Sequence, residues 1–195
     1  MAYFIRDEEE FNECIFLDEI IEDQAARNVI FRDVLFKNVV FIDCDLSGAE
    51  FINVQFEHCD LSNINLDQAI VHNTQFLDCK LMGTYLTDTS MQIVTFNNCN
   101  SEYAIFSSSH LKEVCFIECK MNYSSFSNCK FNQVKFTMCE LLRADLAGTR
   151  LKGTDFTTCI ISEVTIKIEN LRGVILTPLQ ALEFSKLLGI IVKET

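Results

Sequence analysis

Ten cysteines, three histidines and a Ser107-Ser108-Ser109-His110 run are the residues of this 195-residue chain that could do chemistry. Thiolates and imidazoles bind metals, paired cysteines form disulfides, and a serine beside a histidine is the elementary nucleophile and base. Spacing argues against each use. No CxxC pair occurs, and His58, His72 and His110 fit no cysteine-histidine ligand spacing. Nine of the ten cysteines, all but Cys115, share one five-residue phase, which marks them as small core side chains and free thiols. Ser109 falls in the same inward phase and His110 between two inward residues, so the run forms no nucleophile-base pair. His58 and His72 are expected at exposed corners. Cys115 should face outward, with Lys112 as its evident cationic neighbour. No Gly-rich phosphate loop or HExxH motif is present, so the expectation is no catalytic residue, no metal and no cofactor.

The five-residue phase belongs to the whole chain. From Phe31 to Leu171 every fifth residue is large and apolar in 28 of 29 positions, thirteen of them Phe, with Ser101 the exception. Two residues before each centre stands Val, Ile, Ala, Cys, Ser or Thr, broken only at Glu169. A period of five fits neither a helix nor a long strand, so the chain must turn once per repeat. The small and large residues, two apart, point the same way, the one between them faces out, and the remaining two form a corner. Phe36, Phe56, Phe76, Phe96, Phe116, Phe136 and Phe156 recur every twenty residues, as do Cys59, Cys79, Cys99, Cys119, Cys139 and Cys159. Like residues at that interval predict four repeats per coil, a square cross-section, and coils about 4.8 Å apart. A stacked thiol column at that spacing is too wide for disulfides. A filled tube also leaves no interior cavity for a substrate.

Such a stack needs covered ends. Thr177-Pro178-Leu179-Gln180 reads as a capping box with proline at the first helical position, opening a helix that runs to about Gly189. Leu182, Phe184, Leu187, Leu188, Ile190, Ile191 and Val192 give that tail more apolar surface than a cap requires, which predicts a two-fold dimer joined at the C-terminal ends. At the other end Glu19 and Gln24 occupy positions expected to be small and inward, so residues 17–28 read as a bulge, loop or short helix. The expected organisation is an N-terminal cap over 1–28, the repeat region over 29–176, and a helix and dimerisation tail over 177–195.

The net charge of −12 argues against direct binding of nucleic acid, while leaving open a protein partner that normally grips DNA. The acidic start of the chain and the lack of a long apolar run predict a cytoplasmic protein with no membrane contact. Charge is uneven: residues 1–110 carry 19 acidic and 5 basic side chains, and residues 111–195 carry 9 and 11.

These repeats resemble the pentapeptide-repeat family, which implies an all-β, right-handed quadrilateral β-helix. Leu171-Arg172-Gly173-Val174-Ile175-Leu176-Thr177-Pro178 and Leu188-Gly189-Ile190, with Arg27-Asn28-Val29-Ile30-Phe31-Arg32-Asp33, resemble Qnr-type quinolone-resistance proteins of Gram-positive bacteria. The resemblance implies a C-terminal homodimer that binds a type II topoisomerase, DNA gyrase or topoisomerase IV, by imitating DNA. The acids expected to meet that partner are Asp33, Asp43, Asp45, Glu50, Glu57, Asp60, Asp67 and Asp78. Two features depart from the pattern: no loop projects within residues 31–176, and the acids spread over all four faces. A second reading, a non-catalytic scaffold or regulatory module for another protein, stands beside it.

Overall fold

In the computed structural model, which describes residues 5–193, the chain winds as a quadrilateral β-helix closed by a short C-terminal helix. Its strands are mostly three residues long and centred on the large apolar residue, as in Ile30–Arg32, Leu35–Lys37 and Val40–Ile42. On two faces they fuse into eight-residue strands, Ile70–Leu77, Ser90–Asn97 and His110–Ile117. All pairing is parallel with a register of twenty: Phe31 opposes Phe51, Phe56 opposes Phe76, and Phe96 opposes Phe116. Four repeats therefore make one coil, as the columns of Phe and Cys require.

The corner residue two after each centre adopts a left-handed φ near +55°, in Asn28, Asp33, Asn38, Asp43 and onward. Asn and Asp tolerate that region best among residues with a side chain, which explains their frequency there. At Gly48 and Gly83 the asparagine one coil below takes the space a side chain would need. A Cβ on Gly48 would lie 2.3 Å from Asn28 Oδ1, and one on Gly83 would lie 2.4 Å from Asn63 Oδ1.

The interior is a stack of phenyl rings. Phe36, Phe56, Phe76, Phe96 and Phe116 stack face to face at 4.6–4.9 Å with interplanar angles of at most 11°. Phe96 also meets Phe106 edge-on at 6.2 Å across the layer, because Ser101 between them is small. Ser101 is fully buried and its hydroxyl has no partner.

The small inward residues have a second role that periodicity does not reveal. Cys59, Cys79, Cys99, Cys119 and Cys139 each donate from Sγ to a Phe carbonyl one coil back, at 3.3–3.5 Å. Thr84 and Ser109 do the same to Leu61 and Leu86 at 2.7 and 2.8 Å. A thiol or hydroxyl therefore satisfies a buried carbonyl as well as filling space.

Two regions depart from the sequence expectation. Residues 17–28 form no bulge or helix: Ile20–Glu22 is a strand paired with Val40–Ile42, and Ala26 donates to Asp45 O at 2.9 Å. The rule of small inward residues lapses because Glu9, Cys14, Glu19 and Gln24 line the first described coil, where that position is only half-covered. Gln24 bends round to accept from Ile5 N at 3.2 Å and donate to Glu22 O at 2.7 Å. At the other end, Glu169 in an inward position turns outward, and the chain takes a 3-10 turn over Ile168–Leu171 that buries Asn170 in its place.

Candidate interaction surfaces

The residues with potential for covalent or metal chemistry are spread over the outer surface or locked in the wall. His58 stands at a left-handed corner, with Nδ1 3.8 Å from Asp78 Oδ2. His72 lies within the strand Ile70–Leu77, opposing Ile52 and Gln92, half-buried beside the left-handed Asn73 at the corner that this strand turns. Cys115 is half-buried between Thr95 and Lys135 on neighbouring coils, a cationic neighbour that linear distance hides. Ser109 Oγ is buried, accepting from Thr89 and donating to Leu86 O, while His110 faces outward opposite Lys130. Burial raises the thiol pKa of Cys44, and that of Cys129 up to about 12, so both stay protonated at neutral pH.

The eight acids named from sequence lie two to a face around the tube, and nearly all of them also serve the wall. Arg27 Nε binds Asp45 at 2.8 Å, Lys37 binds Glu57 at 2.8 Å, Lys80 reaches Asp60 at 3.4 Å, and Arg32 sits between Glu10 at 3.1 Å and Glu50 at 3.7 Å. Asn53 donates to Asp33 at 3.0 Å, Asn98 to Asp78 at 2.6 Å, and Thr87 N to Asp67 at 2.7 Å. Asp43 alone of the eight makes no side-chain hydrogen bond or ion pair among the described residues. For Asp45 and Asp60 burial pushes the carboxyl pKa up, but bonds from Arg27 and Ser47, and from Ser62 and Lys80, outweigh it and hold both below the usual range. The Lys37 hydrogen bond does the same for Glu57.

The C-terminal module follows its sequence closely. The helix Pro178–Ser185 begins on a complete capping box, with Gln180 N donating to Thr177 Oγ1 at 3.3 Å and Thr177 N to Gln180 Oε1 at 2.8 Å. A 3-10 turn, Lys186–Leu188, continues it to Gly189 at φ 72°. Sequence reasoning did not anticipate the anchor: Gln180 Nε2 donates to Phe156 O and Cys159 O, both at 2.9 Å, bolting the helix to the last coil. Phe184 is half-buried against its own core, while Leu182, Leu187, Leu188, Ile190, Ile191 and Val192 remain exposed, Ile191 by 85%. No helix among the described residues is long and apolar enough to cross a membrane.

One exposed aromatic cluster was also missed. Tyr103 and Tyr123 stack at 5.0 Å on one corner, and Arg143, paired with Glu163 at 2.7 Å, lies 5.9 Å from the Tyr123 centroid. The signal was in the twenty-residue spacing of Tyr103, Tyr123, Arg143 and Glu163.

A family model described as pentapeptide repeat region matches residues 49–124 and 104–174, and one for pentapeptide repeats in eight copies matches residues 26–57. Among solved structures the chain is similar to HetL, a pentapeptide repeat protein involved in heterocyst differentiation regulation from the cyanobacterium Nostoc sp. strain PCC 7120 (TM-score 0.59, 12% identity, 90% of this chain and 86% of that one). It is also similar to a trypsin-treated form of QnrB1, a plasmid-mediated fluoroquinolone resistance protein (TM-score 0.53, 19% identity, 100% of both chains). Comparison with curated protein sequences gave no significant match.

Proposed function

Because the chain belongs to the pentapeptide-repeat family, we propose that it acts without catalysis, as a Qnr-type homodimer whose acid-rich half occupies the DNA-binding surface of DNA gyrase or topoisomerase IV and lessens quinolone poisoning. The observation that carries this reading is the joining of an acid-rich rod to a capped helical module with seven exposed large apolar residues among those described. Exposed apolar side chains in that number are usually covered, and a two-fold contact covers them with a second copy of the same module. Two rods joined there present their acidic ends outward, with the carboxylates spread over all four faces. At 19% identity the likeness to QnrB1 supports the fold, and the quinolone link comes from the sequence of the C-terminal module.

The test is quinolone-stabilised DNA cleavage by purified gyrase and topoisomerase IV with and without the dimer. The protein should reduce cleavage, and Asp43→Asn, which touches no ion pair and keeps a side chain that tolerates the left-handed corner, should weaken that protection without lowering thermal stability. No effect of the intact dimer on either enzyme overturns the reading. A second reading, a regulatory scaffold, is favoured by the spread of acids over all four faces, and recovery of a different host protein on the immobilised dimer would support it.

A further inference from the structure

The outer wall of the rod changes character toward its N-terminal end. In the third described coil the outward positions of two neighbouring faces hold Gln55, Glu57, Asp60 and Ser62. One coil earlier the same columns hold Leu35, Lys37, Val40 and Ile42, and in the first coil they hold Ile15, Leu17, Ile20 and Glu22. Ile15, Leu17, Ile20 and Ile42 are 62%, 52%, 56% and 41% exposed, with Leu35 and Val40 half-buried beside them. The core does not need these side chains, because Phe16, Ile21, Phe36 and Phe41 between them already fill it. They form an apolar surface on both sides of the corner where Asn38 stacks on Asp18, at the end of the rod remote from the C-terminal helix.

The carboxylates around this surface differ from those farther along the wall. Glu13, Glu22, Asp23 and Asp43 are exposed and make no side-chain hydrogen bond or ion pair among the described residues, and Asp18 only accepts from Asn38. Lys37, the cation on these two faces of the first two coils, is held by Glu57 at 2.8 Å. The charge decides what can cover the patch. A second copy of the chain would bring the same carboxylates face to face, and an anionic lipid surface would be repelled in the same way. The strands Ile15–Leu17 and Ile20–Glu22 each pair on one edge only among the described residues, so the acids also guard an open apolar edge against self-association. A cationic partner meets no such barrier.

We propose that this end of the rod docks a basic amphipathic segment of another protein, its apolar side chains covering the aliphatic patch and its lysines or arginines meeting the carboxylates of the rim. The apolar contact supplies affinity that salt does not screen, and the rim supplies steering and orientation. Imitation of a phosphate backbone needs charge alone, so the patch is a separate feature, and the inference does not depend on the partner being a topoisomerase.

The probe is a labelled peptide, LKKLLKLLKKLLKL, whose leucines fall on one helical face; hexalysine carries the same number of lysines without that face. Fluorescence anisotropy with the full-length protein, across a salt series, measures binding of both. The amphipathic peptide should bind at least tenfold more tightly than hexalysine. Ile15→Thr with Ile20→Thr, which keeps the Cβ branch that strands favour, should weaken its binding about tenfold at every salt concentration. Asp23→Asn with Asp43→Asn should flatten the salt dependence and leave binding at high salt unchanged. Met138→Ser, at a side chain 55% exposed farther along the rod, should bind as the parent does. Thermal melts should match the parent for all of these, and where the isoleucine pair melts early the single changes at Ile15 and Ile20 are read instead, each with about a threefold loss. Equal binding of the two peptides, binding unaffected by the isoleucine changes, or no binding of the amphipathic peptide overturns the proposal. So does a concentration-dependent rise in mass that the isoleucine changes abolish, which would assign the patch to a second copy.

Discussion

Replacing Phe96 by alanine tests whether the phenyl column holds the rod together. Its ring is fully buried, stacked on Phe76 at 4.6 Å and on Phe116 at 4.9 Å, and edge-on to Phe106 at 6.2 Å, so three layers lose contact at once. Ser101 beside it offers no bulk to collapse into the void, which places the loss in the upper part of the ~3–5 kcal/mol range for buried Phe→Ala. For a protein of this length that corresponds to roughly 10–15 °C in melting temperature. Phe11 is the internal control: on the first coil it is only half-buried, stacked on Phe31 at 5.3 Å and edge-on to Phe16 at 5.6 Å. Its alanine variant should lose about 1–2 kcal/mol, since less surface is uncovered. Urea denaturation followed by far-ultraviolet circular dichroism gives both values. In a stack whose stability is a sum over neighbouring layers, Phe96→Ala should also broaden the transition as the two halves begin to melt separately. Equal losses for the two variants would refute the reasoning.

Ser101→Ala should raise stability by about 1 kcal/mol, because it removes a buried hydroxyl that has no partner; a loss in thermal denaturation would mean the hydroxyl is satisfied. Gly83→Ala should cost at least about 1 kcal/mol, since it forces a Cβ into a left-handed corner against Asn63 Oδ1, and partial recovery of the melting temperature with Asn63→Gly in the same chain would separate the clash from the backbone strain that remains. Asp45, Glu57 and Asp60 have folded pKa values below their unfolded ones, so their contribution is present above about pH 4 and is lost as pH falls through the folded values. Melting temperature should therefore fall below pH 4, and Asp45→Asn should flatten that fall, as a pH series of melts will read. Leu188→Asp, at a side chain 60% exposed, should leave the melting of the rod unchanged while halving the mass seen by light scattering; an unchanged dimer mass would remove Leu188 from the contact.

Much of this architecture is legible in the residues because the period is unbroken. With no insertion between Phe31 and Leu176, each inward position can be assigned by counting, and Thr177, Pro178 and Gln180 announce the helix by type and spacing. The rules failed at the ends, where the physics differs. Glu19 and Gln24 looked disruptive only because an interior coil would exclude them, whereas the first described coil half-exposes that position. Contacts one coil away were also hidden: the Gln180 anchor, the pairing of Arg27 with Asp45, and the inward turn of Asn170 depend on how the wall closes. The acidic residues were easy to find, yet their types did not reveal that most of them are tied to a neighbour on the wall.

Everything here depends on one coil being twenty residues, and removal of a single coil tests that most directly. Deleting residues 91–110 joins Ser90 to Leu111 and keeps each strand above its proper partner. Small-angle scattering should show a folded particle shortened by about 5 Å per protomer. Loss of the folded rod on that deletion, or an equally well-folded rod on deletion of residues 101–110 alone, would contradict the account.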